Sequence, residues 1–182
     1  GRGLRALSSG ELRKTMIVKA LLADPLILVL DDPFDGLDIE ARNELSGLLP
    51  EITRHCALVV AVGRRREAPG FADSTIVLEQ HLEENAARGS GHRKAARFWI
   101  EHPLQGGPES HHLDPPLVEM RGVSVDYRGT RVLKDVHWSV SYGEAWRIAG
   151  PNGAGKTTLL ELINGDNPKA YGQELYLFGR RK

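Results

Sequence analysis

Gly150-Pro151-Asn152-Gly153-Ala154-Gly155-Lys156-Thr157-Thr158 decides the reading of this chain. An apolar run ending in Ile148-Ala149 precedes it, and Leu159-Leu160, then Leu162-Ile163, follow. Strand, glycine loop and helix, in that order, make G-x-x-x-x-G-K-[ST] a phosphate-binding loop. The glycines let successive backbone N–H groups converge on an anion. The following helix adds the positive end of its dipole. In such a loop Lys156 reaches the β- and γ-phosphates and Thr157 offers its hydroxyl to Mg²⁺. Gly150, Asn152, Gly153, Ala154, Gly155 and Thr158 form the rest of the cradle. A glycine-rich turn that holds nothing would not require every motif position and both flanks to agree.

The sequence before this loop reads as β structure. Residues 117–120, 123–127, 132–133 and 136–140 are short β-prone runs, with Gly129 and Gly143 at turns. Trp138 and Trp146 read as core residues. A second chemical signal lies far upstream. Leu26-Ile27-Leu28-Val29-Leu30 has the pattern of a buried parallel strand. It runs into Asp31-Asp32 and then Pro33-Phe34-Asp35-Gly36-Leu37-Asp38. Carboxylates at the carboxyl end of a buried strand stand where open α/β sheets bind ligands. One suits Mg²⁺ and the next suits the orientation of a water.

Around that strand the pattern is α/β. Leu7-Ser8-Ser9-Gly10-Glu11 opens a helix with Ser8 or Ser9 as its N-cap. Leu12, Met16, Ile17, Ala20 and Leu21 are read on its apolar face, and Asp24-Pro25 stops it. A second helix follows Asp38, with Ala41, Leu45, Leu48 and Leu49 on one face and a stop at Pro50. Ala57-Leu58-Val59-Val60-Ala61-Val62 is a second buried strand, and residues 74–78 are a third.

Together these residues resemble the ATP-binding cassette ATPases. Leu7-Ser8-Ser9-Gly10-Glu11 is similar to the family's signature, Asp31-Asp32-Pro33 to its Walker B, Leu37-Asp38 to its D-loop, and residues 150–158 to its Walker A. The similarity extends to tandem-cassette proteins of molybdenum transport and photorepair, through residues 31–38, Trp146-Arg147-Ile148-Ala149-Gly150 and Leu177-Phe178-Gly179-Arg180-Arg181. The resemblance implies an α/β P-loop NTPase fold, a mostly parallel sheet with an antiparallel β subdomain. It implies ATP and Mg²⁺ as ligands, with Lys156 and Asp32 catalytic and Thr157 and Asp31 on the metal. Tyr127, in Val123-Ser124-Val125-Asp126-Tyr127, stands where the family stacks an aromatic on adenine. Cassettes of this family pair head to tail, so Ser8, Ser9, Gly10 and Glu11 would face the same ATP as Lys156 across a pair. The partner is a second cassette or a second copy of the chain. A membrane permease is implied by resemblance only, with a cytoplasmic location or a peripheral one at the inner face of the plasma membrane.

The motif order departs from a single cassette, because signature and Walker B come before Walker A. One account is a window from a tandem protein: the back half of a first cassette over 1–80, a linker over 81–116, and the front half of a second over 117–182. The other is a circularly permuted single cassette whose sheet pairs the strand at 26–30 with the strand at 146–149. Asp31 and Asp32 serve a different site from Thr157 in the first account; in the second, Asp31 shares Mg²⁺ with Thr157. The absence of an initial methionine, and an end at Lys182 before any Q-loop, lead us to expect a fragment.

Two departures bear on turnover. Asp32 stands where the family usually places Glu, one methylene longer, and misplacing a catalytic group by about 1 Å can cost on the order of 100-fold. Gly63 stands where the family usually places a histidine beside the γ-phosphate, while His55 lies at the other end of that strand. Arg64-Arg65-Arg66, just beyond, reads as a solvated turn. Three functional readings follow: an MgATP hydrolase, a nucleotide-binding switch with negligible turnover, and an incomplete piece that does not act alone.

Composition bounds the rest. The 182 residues suit one medium domain or two small ones. Lys+Arg and Asp+Glu balance at 24 each, which gives no basic field for nucleic acid. No apolar run approaches the roughly 20 residues needed to span a bilayer. The single Cys56 excludes an intrachain disulfide and reads as a buried, inert thiol. Five of the 7 histidines, His81, His92, His102, His111 and His112, fall in the 81–116 stretch with its Gly and Pro pairs. They lack ligand spacing for a metal. Within that stretch, residues 93–101 are read as a short docking helix around Phe98, Trp99 and Ile100.

Overall fold

The computed structural model describes residues 9–63, 71–83, 93–101 and 115–182. Its first half supplies α1 (Ser9–Leu21), β1 (Ile27–Asp31), α2 (Ile39–Ile52), β2 (Ala57–Val62) and β3 (Ser74–Glu83), followed by β4 (Arg93–Glu101). The second half supplies β5 (Val118–Tyr127), β6 (Thr130–Val140), β7 (Ala145–Ala149), α3 (Lys156–Asn164), a 3₁₀ turn (Pro168–Ala170), β8 (Leu175–Leu177) and β9 (Arg180–Arg181).

The two halves build one sheet between them. Its order is β1-β2-β7-β3-β4, with β1, β2, β7 and β3 parallel and β4 antiparallel at the edge. β2 is buried at every position, as a central strand covered on both faces must be. Its side chains alternate between two cores: Ala57, Val59 and Ala61 face one, and Leu58, Val60 and Val62 face the other. The second core holds Ile17, Phe34, Leu45, Leu49, Ile52 and Cys56, under α1 and α2. The first holds α3 and the antiparallel sheet β6-β5-β8-β9. Trp138 and Trp146 meet there edge to face, ring centres 5.6 Å apart, so both are core residues as read.

Several expectations change. Residues 93–101 form a strand, not a docking helix. β4 pairs with β3 in register from Thr75↔Glu101 to Glu83↔Arg93, and the half-buried Phe98 and Ile100 pack on the first core. Alternate residues facing one core satisfy a strand's period of two, which short apolar runs cannot tell from a helix face. β3 therefore continues past the end read at 78, through His81, into the stretch read as linker. Residues 84–92 and 102–114 of that stretch lie outside the described residues, as do Leu7, Ser8 and Arg64-Arg65-Arg66.

Helix α2 runs through Pro50 instead of stopping there. Proline lacks an N–H, but near a helix C-terminus this removes one bond, and Thr53 N still donates to Leu49 O at 3.3 Å. Asp38 caps the other end by accepting from Ala41 N at 2.8 Å. On α2, Leu45 and Leu49 are buried but Leu48 is exposed. On α1, Leu12 and Met16 are exposed and Ile17 is buried. The packed face of α1 lies about one residue round from the one read, along Arg13, Ile17, Ala20 and Leu21. The runs read at 117–120 and 123–127 are one strand, β5, bulged between them; likewise 132–133 and 136–140 belong to β6.

Candidate functional site

β1 and β7 end at the same edge of the parallel sheet, with β2 between them. Asp31 lies opposite Ala61, Ala61 opposite Ile148, and Gly150 N donates to Val62 O at 3.4 Å. The pair of strands read for a permuted order is thus separated by one strand, not hydrogen-bonded directly. Even so, the register brings the carboxylate loop and the glycine loop together. Thr157 Oγ1 donates to Asp31 Oδ2 at 3.0 Å, across 126 positions of sequence.

The glycine loop is tightly built. Gly150 sits so close to β3 that a Cβ would lie 2.5 Å from Leu78 O. Gly155, the residue before α3, has φ 101°, a conformation that costs side-chain-bearing residues about 1–2 kcal/mol. A Cβ there would also meet Val132 O at 3.1 Å. Ala154 is buried, whereas Asn152, Gly153 and Thr157 are exposed and Thr158 is half-buried. Lys156 is buried, its Nζ donating to Gly150 O at 3.0 Å and Pro151 O at 3.5 Å. The loop's own carbonyls thus hold the ammonium over the cradle. A cavity of about 540 Å³ opens here, lined by Asp32, Val132, Asn152, Gly153, Gly155, Lys156, Thr157 and Thr158. Lined by glycine-loop residues and the positive end of α3, it suits an anion. The exposed Thr157 hydroxyl and Asp31 carboxylate are hard oxygen donors that fit Mg²⁺.

The carboxylate loop is held from a distance. Asp32 is half-buried with φ 41°, in the left-handed region that few residues other than glycine and Asn/Asp adopt. Its N donates to Ala61 O at 3.0 Å, extending the β1–β2 ladder by one residue. Arg13 of α1 donates to Asp32 O at 3.0 Å and to Asp35 O at 2.7 Å. Arg42 of α2 donates to Phe34 O at 3.3 Å. A second cavity, about 600 Å³, is lined by Asp32, Phe34, Asp35, Arg42, Val62, Gly63, Pro151 and Asn152. Asp32 borders both cavities, and Gly63, just after β2, lines the second.

The remaining predicted residues lie apart from this edge. Ser9, Gly10 and Glu11 form the first turn of α1, which packs on α2; a Cβ on Gly10 would meet Ala41 Cβ at 3.0 Å. Gly10 and Glu11 do not line either cavity. Tyr127 ends β5, 39% exposed, with its hydroxyl accepting from Asn167 Nδ2 at 2.6 Å. His55 lies at the opposite end of β2, where its carbonyl accepts from Tyr142 Oη at 2.8 Å. Sequence reading missed Arg13, Arg42, Val132 and Asn167. Arg13 alone left a signal, since it shares the helical phase of Ile17 and Ala20.

A parallel sheet that sets a glycine loop and an acidic loop at one edge, either side of a central strand, defines a P-loop nucleotide-binding domain. Residues 133–179 match the family described as ABC transporter. The ABC transporter ATP-binding protein ModF of Escherichia coli is 36% identical over all of this chain and 40% of its own length. An uncharacterized ABC transporter ATP-binding protein of Schizosaccharomyces pombe is 33% identical over 96% of this chain and 37% of its own length. The zinc import ATP-binding protein ZnuC of Alcanivorax borkumensis is 31% identical over 59% of this chain and 42% of its own length. The chain belongs to the ATP-binding cassette family. It spans roughly two fifths of the length of these curated relatives. Among the described residues no helix is long and apolar enough to cross a membrane.

Proposed function

We propose that the protein binds MgATP at the edge shared by β1 and β7 and hydrolyses it. The observation that carries this reading is the 3.0 Å contact between Thr157 Oγ1 and Asp31 Oδ2. Two residues suited to one Mg²⁺ are brought together from opposite ends of the chain. Thr157 and Asp31 would hold the cation, which supplies charge neutralisation at the phosphates when bound. Lys156 turns its ammonium from the loop carbonyls to the phosphates, and the backbone of residues 152–157 donates to them. Asp32 accepts a hydrogen bond from a water and orients it for attack.

For the longer protein the alternative arrangement is that residues 1–80 and 117–182 belong to consecutive cassettes, with 81–116 between them; Asp31 and Asp32 would then serve a different site from Thr157. The Ser8-Ser9-Gly10-Glu11 turn would then close on a nucleotide held by another cassette, and Tyr127 would carry the base. A head-to-tail pair, within one protein or between two copies, is the arrangement that gives the signature turn a ligand. Coupling to a transport system is a proposal for that longer protein, and cargo such as molybdate is not chosen by residues that face nucleotide. The test is MgATP hydrolysis across protein concentrations, with Lys156→Ala as control. Turnover per chain that rises with concentration supports pairing between chains. Turnover unaffected by Lys156→Ala rules the site out.

A second reading, a nucleotide-binding switch with little turnover, is favoured by the shorter carboxylate at Asp32 and by Gly63, which lines the second cavity without a side chain. Binding without turnover in the wild type, with turnover gained in Asp32→Glu, would support it. Rapid wild-type turnover would overturn it.

A further inference from the structure

We infer that Arg13 is a positioning residue that ties the signature turn to the carboxylate at Asp32. The inference rests on the hydrolase reading, since it assigns Asp32 the orientation of a water. Arg13 lies one helical turn beyond Gly10, on the packed face of α1. Its two terminal guanidinium nitrogens, Nη1 and Nη2, reach two carbonyls of one loop, Asp32 O at 3.0 Å and Asp35 O at 2.7 Å. Charged donors give the stronger class of hydrogen bond, and the planar fork fixes the distance between the two acceptors. Lysine carries the charge but lacks the fork.

What the fork holds is a strained residue. Asp32 keeps φ 41° while its N–H is fixed to Ala61 O and its C=O to Arg13. With both peptide groups pinned, the loop sets the direction of its Cα–Cβ bond. Asp35 N also donates to Asp32 O at 3.1 Å, so Arg13 closes a ring of contacts around a tight turn. Arg42 holds the intervening carbonyl, Phe34 O, from α2. The Asp32 carbonyl therefore depends on α1. A shift of α1, such as engagement of the Ser9-Gly10-Glu11 turn by a nucleotide, reaches Asp32 through one side chain. Lys14 pairs with Glu44 of α2 next to it, so α1 is anchored independently of Arg13.

The experiment is steady-state MgATP turnover by the intact protein, comparing wild type, Arg13→Lys, Asp32→Asn and the double variant. Arg13→Lys should lower kcat about ten-fold with KM changed less than about two-fold, because placement and not binding is lost. In the Asp32→Asn background the same substitution should have no further effect on kcat. An unchanged kcat in Arg13→Lys overturns the inference. So does an equal loss in both backgrounds, which would show that Arg13 acts elsewhere. If Arg13→Lys does not fold, Arg13→Gln replaces it under the same criteria. Absence of turnover in the wild type overturns the hydrolase reading and this inference with it, and is distinct from an active wild type that tolerates Arg13→Lys.

Discussion

The glycine loop and the carboxylate loop meet at one sheet edge but are held in different ways. The glycine loop is local. Its contacts are between its own backbone, α3 and the strands beside it, and its ammonium bonds to carbonyls five and six residues away. The carboxylate loop is assembled from far away, by Arg13 19 and 22 residues upstream and by Ala61 on the neighbouring strand. A loop fixed by its own backbone is written in a short motif. A loop fixed by side chains from other elements is only as good as the packing that brings them.

If the glycine loop dominates binding and charge stabilisation, Lys156→Ala should have the largest effect. We expect turnover to fall on the order of 100- to 1000-fold, and the rise in melting temperature with MgATP to vanish. A variant that keeps that thermal shift would break the comparison. Gly150→Ala tests the close fit directly. Its Cβ would press on a backbone oxygen that cannot yield, so unfolding free energy should drop by about 2–3 kcal/mol in a denaturant titration. Asp32→Glu sharpens the other side. Returning the longer carboxylate should raise kcat about ten-fold without changing nucleotide affinity, since only reach changes. No gain would mean that the loop, and not the side-chain length, limits turnover.

Smaller effects separate packing from chemistry. Asp38→Ala removes the cap at the start of α2 and should cost about 1 kcal/mol of stability, read as a lowered denaturation midpoint. Cys56 should give the least. Burial pushes its thiol above the ordinary value, helped by Asp24 and opposed by a hydrogen bond to Leu28 backbone. The folded state therefore favours the neutral thiol. Its contribution is complete below the unfolded thiol's pKa and is lost as pH rises through the folded one. The melting temperature of wild type should fall more steeply above the unfolded thiol's pKa than that of Cys56→Ala. Identical slopes would show that burial does not shift the thiol.

The sequence by itself determined the glycine loop, the strands that lead into both loops and the helix that follows the second. Each is specified by contiguous residues: a turn that needs glycine, a five- or six-residue apolar run, a cap such as Asp38. Tertiary structure decided what those residues do together. Only the sheet order shows that Asp31 reaches Thr157 within this chain, because parallel strands pair by register and not by order along the chain. Residues 93–101 had too short an apolar run for strand and helix to be told apart, and pairing with β3 settled it. The packed face of α1 shifted by one residue because its neighbour is the Asp32–Asp35 loop, which draws in an arginine where an apolar face was read. Hydrogen bonds between distant elements carry no local pattern, so neither the bonds of Arg13, whose helical phase alone was legible, nor those of Asn167 could be read before the chain was folded.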